Sequence, residues 1–408
     1  MSTPASRPLW HGRALALVGV ILVAFSLRSA VASLSPLIGH IARDFPVSSV
    51  VLGLIGTAPP LCYAVFGIVT PALERRFGLE RLATLSMVVI AIGLLTRSLA
   101  PDALVLLLAT ALVFAAVGTG NILLPPLVKK YFPDRLGLMM TLYSTTMAVA
   151  TFLPPLFAVP IADAAGWRFS LSLWAVFAVA AIVPWVVMAV RERAAAPVEV
   201  EETDAGALGR MWRIPLAWML MIGFAVSGVL AYTSFAWLPV ILTDVAGVSA
   251  AEAGGMLSLF AILSLPGSML VPLIVVRFGA VRAVFAVAIT CGFIGLGGLL
   301  FAPTVAPWLW VGVFGLSGSL FPLSLVLLGI RARTHEGAVA LSGFVQSVGY
   351  AVVAVFPVGI GVVHDLTGSW TIPLVVLLVV VAAAIAPAIV VAHPRTVEDE
   401  WERRRGAW

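Results

Sequence analysis

Twelve long apolar runs, each parted from the next by a short polar stretch, divide this chain at roughly 14–39, 50–73, 82–100, 103–127, 138–162, 168–190, 214–240, 250–276, 283–301, 307–330, 338–363 and 370–391. About 20 apolar residues suffice for a helix to cross the hydrocarbon core of a bilayer. The pattern therefore predicts an all-α membrane protein of twelve transmembrane helices. Many runs contain Pro or Gly, which membrane helices tolerate when neighbouring helices satisfy the freed backbone groups.

Composition agrees with lipid as the main solvent. Of 408 residues, 61% are hydrophobic and 11% charged, and the mean hydropathy is +1.11. Soluble domains average about 45–50% apolar and about 25% charged. The net charge of +5 does not point to nucleic acid, because the charges sit in short loops instead of on one basic face. Twenty of the twenty-four Lys and Arg residues fall on the side that holds the N-terminus. Arg43, Arg97 and Arg168 lie on the other side, and Arg28 lies within the first run. The positive-inside rule then predicts cytoplasmic termini in a bacterial inner membrane. The first run is too long for a cleaved signal peptide and is followed by further spans.

The longest polar stretch, 191–213, has mixed charge and reads as a cytoplasmic linker. It divides the chain into an N-terminal six-helix bundle, 1–190, and a C-terminal one, 214–408, with a short cytoplasmic tail. The two halves repeat. PALERRFGLER (71–81) aligns with PLIVVRFGAVR (272–282), matching Arg76 with Arg277, Gly78 with Gly279 and Arg81 with Arg282. DAAGW (163–167) echoes DLTGSW (365–370) at the last turn of each half. Parallel six-span repeats about an axis normal to the membrane are the architecture of major facilitator transporters.

At these residues the chain resembles the major facilitator superfamily. Its RFG-x-x-R loops after spans two and eight look like a degenerate form of the superfamily's loop motif. Arg75 stands where that motif has Asp, with Glu74 just before it. Glu74, Arg76, Gly78, Arg81, Arg277, Gly279 and Arg282 are the expected conformational residues. Four stretches, LRSAVASLSPLI (27–38), LERRFGLER (73–81), LLTRSLAPD (94–102) and GTGNILLPPLVKKYFPDRLGLMMTLYSTTM (118–147), resemble the cyanate and nitroimidazole transporter family. That resemblance implies a secondary transporter of small polar or anionic solutes.

Arg28 is the leading candidate for a substrate contact. A charge at mid-span costs about 2.5–3.5 kcal/mol on insertion scales, and mid-span is too deep for easy snorkelling. Ala24, Ala32 and Ser35 leave room around it, and no Asp or Glu lies inside any run beyond Glu252 at the very start of the eighth. Water, backbone carbonyls or a bound anion are the remedies open to it. Asn121, Tyr143, Gln346 and Tyr350 are the other expected substrate contacts, with Ser342, Gln346 and Tyr350 forming a polar stripe on span eleven. Asn121 also suits interhelical hydrogen bonding. Tyr232 and Thr233 occur on span seven, where Trp237 reads as an interfacial belt residue. Ser317, Ser319 and Ser324 on span ten read as tight packing, and Arg97 with Asp102 as a surface pair.

Other chemistry is not written here. Cys62 and Cys291 have neither disulfide nor metal-ligand spacing. There is no Walker loop, nucleophile–base pair or cofactor loop, so the expectation is a non-enzyme without metal or cofactor. All nineteen acidic residues and five histidines fall at span ends, in loops or in tails. That argues against a buried carboxylate proton relay and leaves exchange, uniport or substrate-borne protons open. The partners expected are a small-molecule or anion substrate and the lipid bilayer, with a monomer as the default state. A drug or metabolite exporter with an apolar pocket is the alternative, and a transporter-like sensor a more remote one.

Overall fold

The computed structural model describes residues 13–191, 209–391 and 393–405, and among these all regular structure is helical. Twelve helical segments among the described residues are long and apolar enough to cross a membrane. Their boundaries track the apolar runs closely. Large apolar side chains such as Phe301, Val355 and Leu366 stay exposed on the outside, as lipid solvation of the outer surface requires. Most of the expected linker, from 192 to 208, lies outside the described residues.

An even number of crossings puts the two described ends on one face, called here the terminal face; the opposite one is the distal face. The first span is not the single helix its apolar run suggests. It runs as Ala14–Ala32, a 3-10 turn Ser35–Leu37 and a helix Ile38–Asp44. Pro36 has no N–H with which to continue the helical ladder, so the helix yields there.

The internal repeat has a structural counterpart at both faces. Helix Ser49–Phe77 of span two ends at Gly78 with φ +82°, and helix Ala250–Phe278 of span eight ends at Gly279 with φ +62°. Glycine adopts these left-handed values without a Cβ clash, which explains the matched glycines of the two loops. At the distal face Trp167 donates its Nε1–H to Asp44 Oδ2 at 2.9 Å, and Trp370 donates to Asp244 Oδ2 at 2.8 Å. Each half thus ties the start of its last span to the end of its first with the same pair of residue types.

Packing shows where the halves meet. One core cluster lies within the N-terminal spans. The other fills the C-terminal bundle and extends into the distal ends of the first two spans, through Leu34, Leu37, Ile38, Leu52 and Ile55. Close approach there needs glycine. A Cβ on Gly53 would fall 2.6 Å from Val358 Cα, and one on Gly254 would fall 2.7 Å from the Pro155 carbonyl oxygen. Thr57 adds a hydrogen bond from span two to the Ala354 carbonyl of span eleven, at 2.7 Å. The distal face is therefore closed.

Two expectations are corrected. Trp237 is no belt residue: it is 1% exposed, donates to the Pro357 carbonyl at 2.8 Å and packs on Trp370. Its indole N–H finds a partner inside the bundle, which removes the reason to sit at the interface. Arg97 and Asp102 are not a surface pair. Arg97 is fully buried against the first span, and Asp102 caps helix Ala103–Tyr131 by accepting from Val105 N at 2.8 Å. The serines of span ten do pack tightly, with Gly267 of span eight facing Ser319 and Gly318 facing Ser264.

The chain closes with a helix, Val397–Arg405, folded under the C-terminal bundle. Glu398 is 0% exposed and accepts from the backbone N–H groups of Arg333 and Thr334, each at 3.0 Å, and from Thr334 Oγ1 at 2.9 Å. Glu400 accepts from Leu216 N at 3.0 Å. Both carboxylates thus satisfy orphan donors at the starts of helices, those of spans seven and eleven.

Candidate substrate site

Arg28 sits four residues before the end of helix Ala14–Ala32, deep among the helices yet only half-buried, so part of the residue faces open space. The side chains acting on it are tyrosines from three other spans. Its guanidinium faces the hydroxyl of Tyr232 of span seven, and Tyr63 of span two and Tyr350 of span eleven lie within its electrostatic reach. The three rings stand edge to face: centroids are 6.2 Å apart for Tyr63–Tyr232, 5.8 Å for Tyr63–Tyr350 and 6.4 Å for Tyr232–Tyr350. Such tilted contacts suit the ring quadrupole.

The hydroxyls differ in their partners. Tyr350 and Arg28 both face the Tyr232 hydroxyl. The Tyr63 hydroxyl is directed at Tyr232 but lies beyond normal hydrogen-bond geometry, so it is buried and unpartnered. Among the described residues no carboxylate faces Arg28. The arrangement offers one permanent cation, an unfilled phenol and aromatic edges. That set can hold a flat solute by an oxygen-rich end.

Of the expected contacts, Arg28 and Tyr350 come together. Gln346, one turn from Tyr350, donates Nε2–H to Ser342 Oγ at 2.7 Å, which leaves its carbonyl oxygen as an acceptor. Tyr143 packs with Met147 against the N-terminal core. Asn121 is half-buried on span four, whose Gly118 and Gly120 meet Cys62 of span two and Leu27 of span one. The strongest side-chain influences on Arg28 come from the three tyrosines of spans two, seven and eleven. Tyr63 is the contact that sequence reasoning missed. A signal was available, since the chain has five tyrosines and three converge here.

The loop motif is partly rearranged. Arg76 lies over its neighbour Phe77 at 5.5 Å and Arg277 over Phe278 at 5.7 Å, a further echo of the repeat. Arg81 and Arg282 are exposed and Glu74 is half-buried. The buried acid of this region is Glu80, 1% exposed, in the first turn of helix Leu79–Ser98. It accepts from Lys130 Nζ at 2.7 Å and Tyr131 Oη at 2.6 Å. Glu80 thereby locks span three to the end of span four.

Comparison with known proteins follows the same lines. Over 375 residues the chain is 35% identical to the uncharacterized transporter YycB of Bacillus subtilis (strain 168), covering 90% of this chain and 92% of that one. It is 32% identical over 365 residues to the 2-nitroimidazole transporter of Escherichia coli (strain K12), covering 89% and 91%. It is 26% identical over 369 residues to the cyanate transport protein CynX of the same organism, covering 87% and 91%. The model of the Major Facilitator Superfamily matches residues 20–354. With a paired six-helix architecture and no enzyme among these relatives, the chain is a multi-pass membrane transporter that belongs to the Major Facilitator Superfamily.

Proposed function

We propose that this protein carries a small anionic or strongly polar solute, of the kind represented by cyanate or a nitroimidazole, by alternating access of its two bundles. The observation that carries the reading is Arg28, a permanent cation within the membrane that meets three tyrosines and, among the described residues, no carboxylate. An intramembrane charge without a counter-charge is a functional site by default. A nitro group, a carboxylate and cyanate each present electron-rich atoms that a guanidinium fork and a phenol recognise. The names of two relatives, a 2-nitroimidazole transporter and a cyanate transport protein, support the same class.

Tyr63 and Tyr232 would complete the pocket, and Asn121, Tyr143, Gln346 and Tyr350 would add hydrogen bonds as the bundles rock. Glu80 and the Gly78 and Gly279 turns would hold the loop ends during that motion. The excess of Lys and Arg on the terminal face supports a cytoplasmic position for that face in the inner membrane. A monomer is sufficient, because both halves of the site lie in one chain.

Reconstitution in proteoliposomes tests this. Wild type is expected to show saturable uptake of 2-nitroimidazole or cyanate, and Arg28→Gln to lose it while eluting as the same folded species. Undiminished saturable uptake by Arg28→Gln would overturn the reading. The exporter alternative draws on the apolar walls of the neighbouring cavity, among them Val31, Leu52, Ile55 and Phe114. Transport of neutral aromatic solutes independent of Arg28 is its mark.

A further inference from the structure

The break in the first span has a clasp. Arg97 of span three reaches across with Nη1 donating to the Ala30 carbonyl at 3.1 Å and Nη2 donating to Ser33 Oγ at 3.1 Å. The residue is 0% exposed, and its Nε is buried without a partner. The planar fork of a guanidinium can fix two acceptors at once, which a lysine cannot do. One end of the clasp holds the last helical turn after Arg28. The other holds the residue from which the chain leaves the helix.

Two residues further on, Ser35 opens the 3-10 turn. Its Oγ is buried and has no hydrogen-bond partner. Ser35 also lines a cavity of about 30 Å³ between the halves, walled by Leu34 and Ile38 of the first span, Ile55 of the second, and Tyr232 and Phe235 of the seventh. That volume holds a water or two, so the cavity is too narrow for a solute in the present distal-closed state. Tyr232 belongs both to this cavity and to the cluster around Arg28. The two therefore meet at Tyr232, and rocking the bundles apart at the distal face would open the cavity toward the Arg28 cluster.

We propose that Ser35 is a second polar contact for substrate, presented by a turn that Arg97 pins. Arg97 is then a positioning residue, and the preferred substrate is two-ended: an anionic or nitro group for Arg28 and a hydrogen-bonding group away from it for Ser35. Arg28 and Ser35 are seven residues apart, about 10 Å along a helix axis, so a single molecule meets both only through polar groups at opposite ends. This rests on the reading of Arg28 as the substrate cation.

The test measures binding to the purified full-length protein with matched probes whose polar groups lie across the ring from each other, 4-hydroxybenzoate against benzoate and 4-nitroimidazole against its 1-methyl form. Wild type is expected to prefer the member with the additional polar group by about tenfold, the worth of one hydrogen bond. Ser35→Ala removes that preference while leaving the weaker member's affinity unchanged. Arg97→Lys reduces the preference too, and the ratio within a pair is a readout that loss of stability alone does not move. An unchanged ratio in Ser35→Ala, or no preference in wild type, overturns the proposal. The Arg28 reading is judged separately: binding of both members that survives Arg28→Gln undiminished defeats it, and failure of wild type to bind any of the four probes defeats both.

Discussion

Arg28 of the first span faces the hydroxyl of Tyr232 of the seventh, so its charge is within reach of both halves of the transporter. A contact of this kind forms or loosens whenever the bundles rock. It gives the substrate a place that both halves can feel.

Removing the phenol at this contact separates recognition from folding. Tyr232→Phe keeps the ring contacts to Tyr63 and Tyr350 but takes away the hydroxyl that Arg28 faces. A hydrogen bond to a charged group contributes about 1.5–3 kcal/mol. Transport assays on Tyr232→Phe should show KM raised by about 10-fold or more, with little change in melting temperature.

The glycines of the distal face predict a conformational lock. Gly53 has no room for a Cβ against Val358. Gly53→Leu should push the distal halves of spans two and eleven apart. Single cysteines placed at Leu52 or Ile55 in a Cys-free background should then label faster from the distal side than without the substitution. Unchanged labelling would show that the distal face closes by other contacts.

Glu80 predicts a stability effect far from substrate. Glu80→Ala removes the carboxylate that Lys130 and Tyr131 share. Lys130 keeps some access to water, with 29% of its side chain exposed, so the loss is discounted to about 2 kcal/mol from the several expected of a fully buried pair. A drop in melting temperature with an unchanged ligand affinity is the expected result.

The C-terminal helix predicts a pH dependence. Burial pushes the Glu398 carboxyl up, but the N–H groups of Thr334 and Arg333 outweigh it and hold its pKa below the ordinary glutamate value. Asp399 is likewise lowered, by the backbone and hydroxyl of Thr396 and then by Arg333. Groups with a depressed folded pKa stabilise above the unfolded value, and that stability is lost as pH falls through the folded one. Hydrogen exchange of residues 397–405 should therefore be slow at neutral pH and accelerate under acid conditions. Glu398→Gln should exchange fast at both.

Twelve apolar runs, a charge bias and a matched pair of RFG loops were enough to read the architecture, because lipid solvation writes its demands into every span. Arg28 was legible for the same reason, as a charge where charge is costly. Its partners were less so. Tyr63 stands alone among apolar neighbours on span two, and only the crossing of spans brings it to Tyr232. Arg97 looked superficial because it lies near a span end, and its burial depends on the break that Pro36 creates in a different helix. Trp237 misled in the same way: its indole donor could as well face water as Pro357, and tertiary packing made the choice. Glu80 was hidden where the repeat fails, opposite Val281.

The most direct measurement is the melting temperature of purified wild type and Arg28→Gln across a concentration series of 2-nitroimidazole and of cyanate. A ligand at one hundred times its Kd stabilises the native state by about 2.7 kcal/mol. The account predicts a concentration-dependent rise in wild type for at least one of the two, absent in Arg28→Gln, with ligand-free melting temperatures close together. An equal rise in both proteins would contradict it, and would return Arg28 to the scaffold.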